Sequence, residues 1–167
     1  MLRREAPALL ALLTRLAGPR ADADDLLQQS LEAAVRAFSS FRGEASVRTW
    51  LTRIAVRTAM RELSKPTHRR VALELVDGVG RDSATDAVVA ARRQLERVQE
   101  HLGCLPVKQR LSFVLHVVDG RSIEEVAALM SATQTATKSR IFLARRTLVR
   151  RAQRDPVLQE LMRGGTP

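Results

Sequence analysis

The chain has 167 residues, of which 45% are hydrophobic and only 3% aromatic, so a core of Leu, Val and Ala and a helical fold are expected. Its formal net charge of +10 indicates a polyanionic partner, either a nucleic acid or an anionic membrane surface. One cysteine excludes an intramolecular disulfide, and the lack of a long apolar run or a signal-peptide pattern predicts a cytoplasmic protein.

Two helices are predicted at the start of the chain. Apolar residues recur at helical spacing over Leu2–Ala17, and Gly18 and Pro19 then end the helix. A second helix opens near Asp22, where an acidic first turn suits the positive end of the helix dipole, and runs to about Phe38. Both helices have one apolar face, which is typical of a small helical bundle.

A third helix completes the predicted first domain, residues 1–64. Ser46 is placed to cap this helix, which runs to about Leu63. Residues 65–85 lack a sustained period and contain Pro, Gly and several charges, which indicates a linker between domains. A short helix over Val71–Val76 is conceivable within it.

Helical spacing returns in the predicted second domain, residues 86–155. One helix covers 86–102, and Pro106 starts another that continues through Val118. Residues 156–167 are expected to form a tail. The fold class is therefore all-α, with two small helical domains joined by a linker.

Residues 122–152 have the outline of a helix-turn-helix. Ser122 begins an N-cap signature with acidic residues in the first turn, and the short helix that follows ends near Met130. A turn over 131–133, which lacks the usual glycine, leads into a long basic helix from Gln134 to about Gln153. This arrangement is typical of a module that places its second helix in a DNA groove.

The long helix is strongly cationic, since no acidic residue occurs from Val126 to Arg154. Like charges repel on a helix, so such a run is favourable where closely spaced phosphates offset the repulsion. The alternative is a solvated charged face. The polar residues at the helix start are expected at base edges and the cations at phosphates. The residues assigned to duplex DNA are Gln134, Thr135, Thr137, Lys138, Arg140 and Arg145.

A second cationic helix contains the only tryptophan. Arginines recur along the third predicted helix beside Trp50, and this combination suits single-stranded or distorted DNA. The alternative for Trp50 is a core anchor that packs with Leu51 and Ile54. The residues assigned to this patch are Ser46, Arg48, Trp50, Arg53, Arg57 and Arg61.

Two blocks of sequence resemble the extracytoplasmic-function sigma factors of bacterial RNA polymerase. Residues 22–29 (DADDLLQQ) and 41–55 (FRGEASVRTWLTRIA) are similar to region 2 of that family. Residues 105–115 (LPVKQRLSFVL), 119–127 (DGRSIEEVA) and 138–145 (KSRIFLAR) are similar to its region 4. The blocks occur in the family's order and cover most of the chain.

The resemblance implies a non-catalytic promoter-specificity subunit. The second helix would bind the coiled coil of the polymerase's largest subunit through Asp25, Gln28 and Gln29. The patch around Trp50 would recognise and open the −10 element, and the helix from Gln134 would read the −35 element as duplex. The resemblance also implies contact with the polymerase flap and inhibition by an anti-sigma factor.

Four departures from the family pattern accompany the resemblance. Thr52 stands where an aromatic is usual, Arg57 replaces an asparagine that often contacts the −10 element, and Gln29 replaces a glutamate. The family's first helix is absent from this sequence, so either the true start lies upstream or the chain is a shortened member with a three-helix first domain. Alternatively, the apolar face of Leu2–Ala17 is covered by a partner such as an anti-sigma factor.

Two other functions are less compatible with this sequence than promoter recognition. A sigma-like decoy for an anti-sigma factor would not need to keep DNA-binding cations, and a simple helix-turn-helix repressor leaves the first domain without a role. His68, His101 and His116 are scattered without supporting carboxylates, so we expect no catalytic residue, metal or cofactor. Cys104 is expected to be a small buried hydrophobe. The linker permits both separated and packed domains.

Overall fold

The computed structural model describes residues 2–18, 22–65 and 86–159, and these residues contain helices and turns but no strand. This confirms the all-α prediction. The helices are α1 (Leu2–Ala17), α2 (Ala23–Ala37), α3 (Val47–Leu63), α4 (Asp86–Gly103), α5 (Val107–Phe113), α6 (Ile123–Leu129) and α7 (Gln134–Ala152). A 3₁₀ turn over Phe38–Ser40 follows α2, and a π-helical turn over Val114–Val118 follows α5. The helix considered at 71–76 lies outside the described residues.

Side-chain caps begin the helices where the sequence predicts them. An Asp22 carboxylate oxygen accepts hydrogen bonds from the backbone N–H groups of the first turn of α2, and Ser46 Oγ accepts from the Thr49 N–H at the start of α3. At α6, Ser122 Oγ accepts from the Glu125 N–H while the Glu125 carboxylate accepts from the Ser122 N–H. Each cap satisfies N–H groups that a helix start leaves without a partner.

The first three helices pack pairwise into a bundle. The helix faces that meet are apolar, as expected from their spacing, and α1 contributes four leucines and Ala17 to this core. The buried hydrophobic residues of this bundle are Leu9, Leu12, Leu13, Leu16, Ala17, Leu26, Ala34, Leu51, Ala55, Val56, Ala59 and Leu63.

The second bundle is arranged around α7, which contacts α4, α5 and α6. Its own core contains the buried side chains of Leu105, Ile141 and Ala144. The chain then turns at Asp155 into a helical segment over 156–159, so the predicted end of this domain coincides with a buried carboxylate rather than with the start of a free tail.

The two bundles share apolar side chains. The core cluster of α1–α3 continues without a break into Leu111, Val114, Leu115, Val126, Leu129 and Met130 of the second bundle. Helix α3 contacts α5 and α6, and α1 contacts the π-helical turn. The apolar face of α1 that was assigned to a partner protein instead packs mainly against α2 and α3, and α1 also contacts the π-helical turn of the second bundle.

The π-helical turn departs from the continuous α-helix that was predicted to run through Val118. The Asp119 N–H donates to the Val114 carbonyl at 3.0 Å, a five-residue span, and the Arg121 N–H donates to the Leu115 carbonyl at 3.1 Å. Such turns insert one residue into a helix and are rare. Here the turn carries the chain from α5 into the loop that meets α1.

Two further findings concern the chain as a whole. The prediction that Cys104 is buried is wrong, because this residue lies exposed just after the end of α4. Among residues 2–18, 22–65 and 86–159, no helix is long and apolar enough to cross a membrane.

Candidate nucleic-acid interface

Helix α7 has a buried side and an open side. Thr137, Ile141 and Ala144 follow one another at spacings of four and three residues and are all buried against the bundle. Thr133 caps the helix, since its Oγ1 accepts a hydrogen bond from the Ala136 N–H at 3.1 Å. The opposite side of the helix is therefore presented to solvent along its whole length.

Thr137 does not fit the predicted interface. Its side chain is 0% exposed, and its Oγ1 donates to the Thr133 carbonyl at 3.0 Å. A hydroxyl held in this way cannot approach a base edge. The spacing of Thr137 with Ile141 and Ala144 was the signal in the sequence that places it on the inner face.

The remaining predicted residues of α7 differ in exposure. Gln134, Thr135, Lys138 and Arg145 are exposed, whereas Arg140 is half-buried at the edge of the inner face. Lys138 and Arg145 form no ion pair within 4.0 Å of any residue that the structure describes, although Lys138 interacts electrostatically with Glu124 of α6. Both cations are exposed to an external anion.

Three exposed residues of this face were missed: Ser139, Phe142 and Arg146. At about 100° per residue they lie with Thr135 within about 60° of one another around the helix, on the side opposite the buried face. The Phe142 ring is 62% exposed, although apolar spacing alone would place it in a core. An apolar ring flanked by hydroxyls and cations is a surface suited to a major groove, where thymine presents a methyl group.

Helix α3 carries a second cationic stripe. Trp50, Arg53, Arg57 and Arg61 recur at spacings of three and four residues, which places them along one side of the helix with Ser46 at its N-terminal end. Arg53 is exposed and has no ion-pair partner among the described residues. Five of the six residues assigned to this patch therefore lie along one side of α3.

Arg48 lies away from this stripe. Two residues before Trp50, it projects from another side of the helix, where its Nε donates to a Glu5 carboxylate oxygen of α1 at 2.9 Å. This pairing links two helices of the first bundle. Arg48 is accordingly placed for a structural contact rather than beside the other arginines.

Two other arginines of the stripe also have partners in this conformation. Arg61 Nε donates to Glu62 at 2.9 Å, and an Arg57 guanidinium nitrogen donates to Ser131 Oγ, in the turn between α6 and α7, at 3.1 Å. Both arginine side chains stay exposed. Hydrogen bonds from Lys65 and Arg61 lower the pKa of the Glu62 carboxyl more than burial raises it, so Glu62 stays ionised.

Trp50 belongs to an aromatic cluster at the N-terminal end of α3. Its ring lies 5.1 Å from that of Phe41 and 6.4 Å from that of Phe38, the latter edge-on. Trp50 is half-buried and packs against the core, while Phe38 is exposed. Of the two alternatives for Trp50, the core contact is present, and the exposed aromatic surface beside it is that of Phe38.

Helix α2 presents a shallow groove of about 630 Å³ to solvent. Its floor is apolar, from Leu27, Leu31 and the exposed Val35, and Asp24, Gln28, Glu32 and Arg36 form its polar edges. Of the predicted core-binding residues, Gln28 lines this groove. Asp25 and Gln29 lie beside it and are joined by a hydrogen bond of 2.8 Å.

The described part of the chain contains no cluster of three or more His, Cys, Asp or Glu side chains that could hold a metal ion.

Comparison with known proteins places both bundles in one family. Residues 1–70 match the family described as Sigma-70 region 2, and residues 95–148 match the family described as Sigma-70, region 4. The RNA polymerase sigma-H factor of Pseudomonas aeruginosa is 30% identical over 165 residues, which are 93% of this chain and 82% of that protein. The ECF RNA polymerase sigma-E factor of Salmonella typhimurium is 32% identical over 146 residues, 81% of this chain and 76% of that protein.

Solved structures show the same arrangement of helices. CnrH in complex with the cytosolic domain of CnrY is 28% identical, with a TM-score of 0.64 over 92% of this chain and 86% of that one. The sigma factor RpoE of Bartonella quintana in complex with the anti-sigma factor NepR is 26% identical, with a TM-score of 0.62 over 88% and 91% of the two chains. The protein therefore belongs to the extracytoplasmic-function family of RNA polymerase sigma factors, whose function is to direct the polymerase to promoters.

Proposed function

We propose a division of this sigma-factor function among three surfaces of the chain. The −10 stripe (Trp50, Arg53, Arg57 and Arg61) binds and opens the −10 element, the outer face of α7 reads the −35 element, and the groove on α2 docks on the polymerase. The observation that carries the proposal is the presence of two cationic helix faces on separate bundles. A third surface, the groove on α2, has an apolar floor.

The −35 contact is proposed to combine phosphate binding with base readout. Lys138, Arg145 and Arg146 supply charge for the backbone, and the slender Thr135 and Ser139 approach base edges. Phe142 packs against a thymine methyl. This assignment replaces the buried Thr137 with residues that the structure leaves exposed.

Opening of the −10 element is proposed to occur at the N-terminal half of α3. Unstacking costs a few kcal/mol per base step, so the free energy must come from contacts to the opened strand. Arg53 binds its phosphates, Arg57 contacts a base, and the Phe38 and Trp50 surface accepts an unstacked base. Because Arg57 replaces the family's usual asparagine, the chain is expected to prefer an unusual −10 sequence.

The groove on α2 is proposed to receive one helix of the coiled coil in the polymerase's largest subunit. An apolar floor with acidic and amide edges suits an amphipathic helix with a basic border. Asp25 and Gln29 extend the polar edge. Nucleotidyl transfer belongs to the polymerase, so the chain acts by binding and strand separation alone, in the cytoplasm where polymerase acts.

An anti-sigma factor is the second proposed partner. The support comes from the two solved relatives, which are bound to the cytosolic domain of CnrY and to the anti-sigma factor NepR. A decoy that sequesters such an inhibitor would need neither the α3 nor the α7 cations.

Run-off transcription with purified core polymerase on genomic fragments tests the proposal. We expect the protein to support initiation from a defined set of fragments and the K138A/R145A variant to lose most of that activity while still joining core. Failure of the wild-type protein to associate with core, or association without initiation from any fragment, contradicts the proposed function.

A further inference from the structure

A cavity of about 240 Å³ lies between the first bundle and the loop that follows the π-helical turn. Its lining comes from α1, from α3 and from residues 119–121 of that loop. We propose that this cavity is a binding site for a small organic carboxylate, a monoanion with a short apolar body. The site is separate from the three surfaces proposed for promoter DNA and polymerase, and the proposal does not depend on their roles.

The charged side chains of the lining leave one cation in excess. Arg15 Nε donates to an Asp119 carboxylate oxygen at 2.7 Å, and Arg48 Nε donates to a Glu5 carboxylate oxygen at 2.9 Å. Arg121 is the third arginine of the lining and forms no ion pair within the described part of the chain. Three arginines and two carboxylates give the lining a formal charge of +1, which one negative charge neutralises.

Arg121 is anchored through its backbone. Its N–H donates to the Leu115 carbonyl at 3.1 Å, and its own carbonyl accepts a hydrogen bond from His116 Nδ1 at 2.7 Å. The side-chain Nε is buried and has no hydrogen-bond acceptor among the residues that the structure describes. A buried donor without an acceptor is unfavourable, and an anion that accepts from it offsets the lost hydration. We therefore assign the ligand's charge to Arg121.

The two carboxylates of the lining determine which anion fits. The side chains of Glu5 and Asp119 are only 21% and 9% exposed, so water screens their charges weakly and a dianion such as phosphate would be repelled. A monoanion meets less repulsion. A planar carboxylate also matches the guanidinium geometry, because two N–H groups can donate to its two oxygens. The lining thus favours a carboxylate over a phosphate.

The rest of the lining is apolar or already hydrogen-bonded. Leu9 and Leu12 of α1 are each 4% exposed and line the cavity beside Ala8. The Thr52 hydroxyl donates to the Arg48 carbonyl at 2.7 Å, so it is satisfied by the backbone. Such a wall suits a hydrocarbon group next to the carboxylate. A cavity of about 150 Å³ can hold benzene, so this larger one accommodates a single ring that carries a carboxylate.

An NMR titration of the full chain with benzoate tests the proposal. Benzamide is the neutral analogue of nearly the same shape, and inorganic phosphate is an anion without an apolar body. At pH 7 we expect benzoate to shift the backbone amide signals of residues 5–15, 48–52 and 119–121, with a dissociation constant of about 1 mM or tighter. Benzamide and phosphate should each bind about tenfold more weakly or less.

Three variants test the assignment of the site. R121M removes the unpaired cation and should weaken benzoate binding about tenfold, because a charge-assisted hydrogen bond is lost. T52F places an aromatic ring, the kind of residue usual in the family at this position, in the space that the ligand needs and should also weaken binding. R154M removes an exposed arginine beyond the end of α7 and is the matched control, with binding equal to that of wild type.

Thermal unfolding checks that each variant is folded, and R121M carries the test if T52F is not. Equal affinities for benzoate and benzamide would overturn the carboxylate assignment. Signal shifts confined to the cationic face of α7, or affinities lowered equally in R121M and R154M, would reveal general attraction of anions to a basic protein and overturn the site. Absence of a response to all three probes would overturn it as well.

Discussion

His101 Nε2 lies 2.9 Å from a carboxylate oxygen of Asp155, and Arg97 donates to the same oxygen from the neighbouring turn of α4. The second Asp155 oxygen accepts from the backbone N–H groups of Val157 and Leu158. One buried carboxylate thus ties the end of α7 to α4 and begins the helical segment that follows.

The first prediction is that D155N destabilises the protein by about 2 kcal/mol at pH 7, because hydrogen bonds to a charged group are lost while the capping geometry is kept. E100Q, which weakens an exposed pair with the same Arg97, should cost less than about 0.5 kcal/mol. Urea unfolding of both variants measures the two values.

The pH dependence of the stability difference between wild type and D155N follows from the pKa of the Asp155 carboxyl. Burial raises its pKa, but the hydrogen bonds from His101 and Leu158 and the charge of Arg97 outweigh burial, so the pKa is below its ordinary value. A lowered pKa stabilises the fold at pH values above the unfolded pKa of about 4. The difference between wild type and D155N should therefore shrink as pH falls below about 4, and a constant difference down to pH 3 would contradict the assignment.

The second prediction concerns Ser131, which adopts a φ of 48° in the turn of the helix-turn-helix. This left-handed conformation costs a residue with a side chain about 1 kcal/mol, whereas glycine adopts it freely. S131G should therefore be about 1 kcal/mol more stable than S131A in thermal or urea unfolding. Both variants lack the hydroxyl that Arg57 uses, so their comparison isolates the backbone, and equal stabilities would show that the turn is unstrained.

The third prediction separates the two sides of α7. K138A should weaken binding to duplex −35 DNA across sequences and reduce the slope of log affinity against log salt by about one. T137V, which preserves volume at a buried site, should leave both quantities unchanged. Loss of DNA affinity in T137V with unchanged stability would place Thr137 at the interface after all.

The fourth prediction concerns sequence preference at the −10 element. R57N restores the residue usual in the family and should change which −10 sequences support transcription, rather than lowering activity uniformly. Selection of active promoters from a library randomised over that element measures the preference. A uniform loss, like that expected from removing a phosphate contact, would contradict a reading role for Arg57.

The fifth prediction tests the groove on α2. V35D places a charge on its apolar floor at a side chain that is 62% exposed, so folding should be unaffected while affinity for core polymerase falls at least tenfold. V89D introduces the same charge at an exposed valine of α4 and is the control. Co-migration with core polymerase in gel filtration measures binding, and equal retention of both variants would exclude the groove.

Local features of this fold were predictable, because they depend on residues close together in the chain. The Ser46 cap and the reciprocal Ser122 and Glu125 cap each involve a span of three residues, and the structure confirms both. The buried position of Thr137 was also accessible from its spacing with Ile141 and was overlooked.

Contacts between distant segments were not predictable from the sequence. Arg48 meets Glu5 across 43 positions and Arg15 meets Asp119 across 104, and neither pairing has a local signal. Leu12 of α1 is buried in a cluster that also contains side chains of the second bundle. The sequence of α1 alone does not reveal that contact. The roles of Arg48 and of the α1 surface depend on these contacts, so the sequence alone could not distinguish arginines that pair within the fold from those that remain free.

The π-helical turn over Val114–Val118 has a consequence for how the chain varies among related proteins. One residue more or fewer in a helix rotates everything beyond it by about 100°. Deletion of a single residue such as Val117 would restore regular helical geometry and swing the Asp119 carboxylate away from Arg15. The number of residues before this junction thus determines which side chains meet there. Insertion or deletion of one residue would break the Arg15–Asp119 contact even though both side chains remain in the sequence.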